Sequence, residues 1–120
     1  MCDAVWYLWR RTGDAALLGH SAAVAKHGAR MARQYRAGTP SAALAAGDHA
    51  WYRGDRAAAT KHWLASALAA SDRGMQFNQA QALFRLEEAG CLPKDQPGPT
   101  WPDLLARLGI ARPKIWSIAA

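Results

Sequence analysis

The side chains able to do acid–base, nucleophilic or metal chemistry are few in this chain, and their spacing sets them apart. Its four histidines are His20, His27, His49 and His62. Helical zinc sites pair histidines three or four positions apart with a carboxylate nearby. His20 and His27 are seven apart and no acid accompanies them. Asp48-His49 and Lys61-His62 read as surface or boundary residues. Glu87-Glu88 is the one adjacent pair of glutamates. Neighbours on a helix diverge by about 100°, so the two carboxyls do not serve as acid and base for one substrate. Ser21, Ser41, Ser66 and Ser71 lack the Gly-x-Ser-x-Gly turn of a nucleophile elbow. Cys2 and Cys91 make neither a disulfide framework nor a metal knuckle and read as free thiols. The glycines are scattered and form no phosphate-cradling loop. The expectation is no catalytic residue, no metal ligand, no cofactor and no enzymatic activity.

Charge carries more information. The chain holds 15 Lys and Arg against 9 Asp and Glu, for a net charge of +6. From Ala15 to Gly47 there is no acid at all, while Lys26, Arg30, Arg33 and Arg36 lie in that window with His20 and His27. Four- and three-residue spacing puts Lys26, Arg30 and Arg33 on one helix face. Such a stripe is either a solvated face or a contact for an acidic protein, phosphates or anionic lipid. Aromatic residues that would stack on bases do not interleave with it.

The elements that must carry these residues are helical. Hydrophobic residues make up 51% of the chain, but nearly half of them are Ala, a strong helix former that buries little area. Large side chains therefore build the core, the six Trp foremost. Val and Ile are scarce, which disfavours a sheet. A short helix over 2–11 carries Val5, Trp6, Leu8 and Trp9, and Thr12-Gly13-Asp14 breaks it. A long helix over 14–36 follows, with Leu17, Ser21, Val24, Gly28, Met31 and Tyr35 on one stripe. Gly38, Thr39 and Pro40 supply a stop, an N-cap and a first helical position. The third helix, 40–53, packs through Leu44, Gly47, Trp51 and Tyr52. After the turn at Gly54-Asp55, a fourth helix over 55–73 packs through Ala59, Trp63, Ser66 and Ala70, widened by Leu64 and Leu68. A fifth, 76–89, uses Phe77, Ala80, Leu83, Phe84 and Glu87. Prolines make 91–102 an extended linker. Thr100 caps a short last helix whose Leu104, Leu105 and Leu108 face the core. The tail carries Ile110, Ile115, Trp116 and Ile118, which dock on this domain or on a partner. The organisation expected is a helical domain over 1–90, a linker over 91–102, and a short helix with an apolar tail over 103–120.

Residues 43–71 resemble a tetratricopeptide repeat. Gly47 stands where the first helix needs a small residue, and Gly54-Asp55 at the inter-helix turn. Ala59 and Trp63 match the small residue and the aromatic that follows it. Ala43, Ala46 and Ala50 depart from the usual Trp, Leu and Tyr. A degenerate second copy aligns on Gly13-Asp14, and 76–90 looks like the first helix of a third, its partner replaced by 103–109. The phrase from Trp51 through Trp63 is also similar to C-terminal helical repeats of large bacterial ATP-binding regulators and nucleotide cyclases. The resemblance implies an all-α stack of antiparallel helix pairs, a fragment of an α-solenoid with five main helices and a short C-terminal one. It also implies a scaffold for protein–protein interaction or regulation.

The expected partner contacts are Lys26, Arg30, Arg33, Arg36 and Arg53, between the second and third helices, together with Trp116. The structural set is Gly47, Gly54, Ala59 and Trp63. The partner expected is a protein, an acidic one included, or a second copy of the chain. Two other readings stand beside this one: a basic nucleic-acid-binding protein, and a small-ligand pocket among the Trp residues. The first residues have no basic stretch followed by an apolar run, so no secretory signal is expected. No stretch is apolar for long enough to span a bilayer. A cytoplasmic protein is expected.

Overall fold

Helix boundaries in this chain fall where caps and glycines put them. The computed structural model describes residues 8, 9, 11, 12, 16–34, 36–111 and 113. Among these the structure is all-α, with no strand. Five helices follow one another: α1 (Ala16–Gln34), α2 (Thr39–Tyr52), α3 (Arg56–Asp72), α4 (Gln76–Glu88) and α5 (Trp101–Arg107). A 3-10 turn, Arg36–Gly38, joins α1 to α2. Leu8, Trp9, Arg11 and Thr12 are helical as well. Thr12, expected to break that first helix, instead belongs to it, its hydroxyl donating to the Leu8 carbonyl at 2.7 Å.

Gly38 caps α2, and both Thr39 and Pro40 lie inside the helix. Thr39 is therefore not the N-cap expected of it; proline within the first turn gives up an N–H that has no helical acceptor anyway. At the α2–α3 turn Gly54 takes φ +82°, a left-handed conformation that a Cβ would strain. The Asp55 side chain then accepts from the Ala58 amide at 3.0 Å and starts α3. Thr100 caps α5 in the same way, and Trp101 and Pro102 form its first turn. The proline-rich linker thus ends at Thr100, two residues earlier than expected.

Each helix packs on the next in sequence, and α2 also reaches α4. Leu44, Trp63, Leu83, Phe84, Leu86, Leu104 and Leu105 form the core. Trp63 is 0% exposed, and a Cβ built on Gly47 would stand 2.5 Å from its Nε1, so the ring fills the place a side chain at 47 would need. Ala59, Ser66 and Ala70 lie on the same buried face of α3. Leu68 does not widen that face: it is 65% exposed. It sits about 140° around the helix from Trp63, beyond the edge of the packing stripe. Leu108, 40% exposed, likewise leaves the core to Leu104 and Leu105, because α5 ends before reaching it. Of the second-helix stripe, Ser21 is buried and Val24 half-buried, but Met31 is exposed. Tyr35 lies outside the described residues.

Candidate functional site

Asp48 and His49 are neighbours on α2, so their side chains leave the helix about 100° apart and meet different partners. Asp48 points toward α3 and α4. It is 3% exposed, which corrects its expected place at the surface. Its Oδ1 accepts from the Trp63 indole at 2.9 Å and from Arg85 Nε at 2.9 Å; its Oδ2 accepts from Arg85 Nη2 at 3.2 Å. Arg85 is 0% exposed. Two hydrogen bonds from one planar guanidinium to both oxygens fix its orientation as well as its charge. One carboxylate thereby ties three helices together. The arrangement positions helices; it is closed to any substrate.

His49 points toward α1. The Ser21 hydroxyl donates to the Leu18 carbonyl at 2.8 Å. Its single proton being used there, Ser21 Oγ accepts from His49 Nδ1–H at 3.0 Å. The bond clasps α1 to α2 across 28 residues of sequence. Burial, and after it the charge of Arg53, holds the imidazole below its ordinary pKa.

Polar side chains make further ties between helices. Buried Ser66 donates to the Pro40 carbonyl at 2.7 Å, and Asn78 to the Ser41 hydroxyl at 3.2 Å. Arg56, at the start of α3, donates to the Ala89 carbonyl at 3.1 Å beyond the end of α4, and lies 5.7 Å over the Trp51 ring. A cation at a helix C-terminus meets carbonyls that have no helical donor.

The expected contact residues separate into groups. Lys26, Arg30 and Arg33 are exposed on α1. At 100° per residue they fall within about 60° of one another, on the side of α1 away from Ser21 and Gly28, which meet α2. Arg53 is exposed at the far end of α2, about 20 Å from the turn that holds Arg36. The side chain of Arg36 and the whole of Trp116 lie outside the described residues. His20 and His27 are exposed on α1 and His62 half-buried on α3.

Two open grooves border the linker. One, about 320 Å³, lies among Leu83, Glu87, Leu92, Pro99 and Trp101. Trp101 there packs edge-on against Phe84 at 5.3 Å and donates its indole N–H to Glu87. The second, about 220 Å³, lies between Pro97-Gly98-Pro99 and Leu64, Leu68 and Gln79. A third groove, about 230 Å³ and almost wholly apolar, runs between α1 and α2 among Val24, Gly28, Met31, Ala42 and Ala45. No helix among the described residues is long and apolar enough to cross a membrane.

The sequence reasoning missed Asp48 and Arg85. The signal for Asp48 was present: it falls on the stripe formed by Leu44, Gly47, Trp51 and Tyr52, where a carboxylate needs a buried partner. No family model, curated protein or solved structure matches this chain.

Proposed function

We propose that this chain is a non-catalytic protein-interaction scaffold, a short stack of antiparallel helix pairs resembling tetratricopeptide repeats. The observation that carries the reading is the seat of Trp63 in the notch at Gly47. A bulky ring facing a glycine is how such pairs approach closely. The order of contacts supports it. Ser21 meets His49 while Gly28 meets Ala42, so α1 and α2 run in opposite directions. Pro40 meets Ser66 while Gly47 meets Trp63, so α2 and α3 do too. Ser41 meets Asn78 and Asp48 meets Arg85, each 37 residues apart, so α2 and α4 run side by side in the same direction. That offset is close to the period of about 34 residues in these repeats.

The polar groups inside this frame serve to hold helices to one another, which suits a scaffold and leaves recognition to its faces. The reading is tested by affinity capture from the native host followed by light scattering of the purified complex. A stoichiometric protein partner, or a stable dimer of the chain alone, is the expected result. A strictly monomeric chain that retains no protein rules the scaffold out. The groove at Trp101 favours a second reading, a small apolar ligand, since its size falls at the lower end of ligand pockets. A rise in Tm in a thermal-shift ligand screen, lost in Trp101→Ala, would support that one.

A further inference from the structure

We infer that the outer face of α1 docks an acidic helix of a protein partner, laid lengthwise over the segment from Gly19 to Arg33. This rests on the scaffold reading and names the surface and the chemistry of what it takes.

Charge is the first argument. α1 contains no Asp or Glu. The one carboxylate of α2, Asp48, is 3% exposed and held by Arg85, so it offers nothing to solvent. The layer made by α1 and α2 therefore turns Lys26, Arg30, Arg33 and Arg53 outward without a single solvent-facing acid among its described side chains. Elsewhere the charges are mixed: exposed Asp55, Asp72, Glu87, Asp95 and Asp103 alternate with Arg56, Lys61, Arg73, Lys94 and Arg107. A one-sign face beside a mixed remainder selects partners of the opposite sign and speeds their encounter.

Shape is the second. Gly19, Ala23 and Ala29 are exposed beside the stripe. Small residues let another helix axis approach to about 8 Å, and Lys26, Arg30 and Arg33 then span about 10 Å, two turns. Glutamates at the same alternation of four and three on a partner helix meet all three cations at once. Nucleic acid fits less well. Three cations on this helix neutralise about three phosphates, fewer than firm binding at physiological salt requires, and the face has no aromatic for a base.

The test uses an alanine-rich helical peptide with glutamates at alternating four- and three-residue spacing, and a second peptide of the same composition with its glutamates spread around the helix. Fluorescence anisotropy at low salt should give about tenfold tighter binding for the striped peptide. Lys26→Glu/Arg30→Glu/Arg33→Glu should abolish that binding, and Lys61→Glu/Arg73→Glu on α3 should leave it unchanged. All five positions are exposed, and circular dichroism confirms that both variants keep their helices. Equal affinity for the two peptides overturns the proposal, as does binding that survives the triple change. So does tighter binding to a DNA duplex or to phosphatidylserine vesicles than to the striped peptide. A host protein captured equally by wild type and the α1 triple variant removes the docking face and leaves the scaffold standing; capture by neither, with a chain that stays monomeric, removes the scaffold as well.

Discussion

α2, α3 and α4 are locked to one another, whereas α1 is only clasped. Between α2 and its two later neighbours lie a fully buried indole, a buried ion pair and a buried serine-to-carbonyl bond. Between α1 and α2 the described contacts are of another kind: Gly28 against Ala42, with the Cβ position of residue 28 at 3.3 Å from the Ala42 Cα, and the Ser21–His49 bond. Ser21 is the one described side chain of α1 that is buried. Small residues allow close approach but remove little apolar area from water, and of the described α1 side chains Leu18 is the large one packed against the core.

The sharpest way to break the contrast is Asp48→Ala, which strands the Arg85 guanidinium without its buried counter-ion. Urea unfolding should show a loss of about 3–5 kcal/mol. Asp48→Leu/Arg85→Met removes both charges together and should recover most of that loss, which separates the cost of an orphaned charge from the worth of the pair. Gly47→Ala drives a methyl into the Trp63 ring and should cost about 1–3 kcal/mol by overpacking. Ser21→Ala should cost about 1 kcal/mol. Its effect should stay local, with hydrogen exchange speeding in α1 while α2–α4 keep their protection.

The smallest expected effect is on pH dependence. Because the folded chain holds His49 below its ordinary pKa of 6.5, the unfolded chain takes up the proton first as pH falls. The contribution to stability is complete above about 6.5 and is lost as pH falls toward the folded value. His49→Gln should flatten the slope of unfolding free energy across that window. A slope unchanged by the substitution would place the titration elsewhere.

How much of this was legible in the residues depended on whether the cause was local. The Gly47–Trp63 contact could be read because size complementarity is written in residue types at helical spacing. The caps Asp55 and Thr100 could be read because each acts within three residues. Asp48 and Arg85 stand 37 positions apart, and nothing local joins them. Their pairing follows only once α2 and α4 lie side by side. Leu68 and Leu108 misled for the opposite reason: their apolar type suggested burial, but their angle and position put them outside the contact. The linker is shorter than 91–102 because Trp101 and Pro102 form the first turn of α5, where a proline, like Pro40 in α2, gives up no helical hydrogen bond. The basic stripe was legible as a face; that it points away from α2 was not, since the direction of an exposed face depends on what covers the other side.

The return of α5 over α4 has a consequence for access. With Trp101 set against Phe84, and Leu104 and Leu105 sunk into the core, that flank is covered by α5. A further helix arriving there would have to evict α5 and expose both leucines before gaining any contact of its own. Whatever approaches this side of α4 therefore meets α5 before it meets the core.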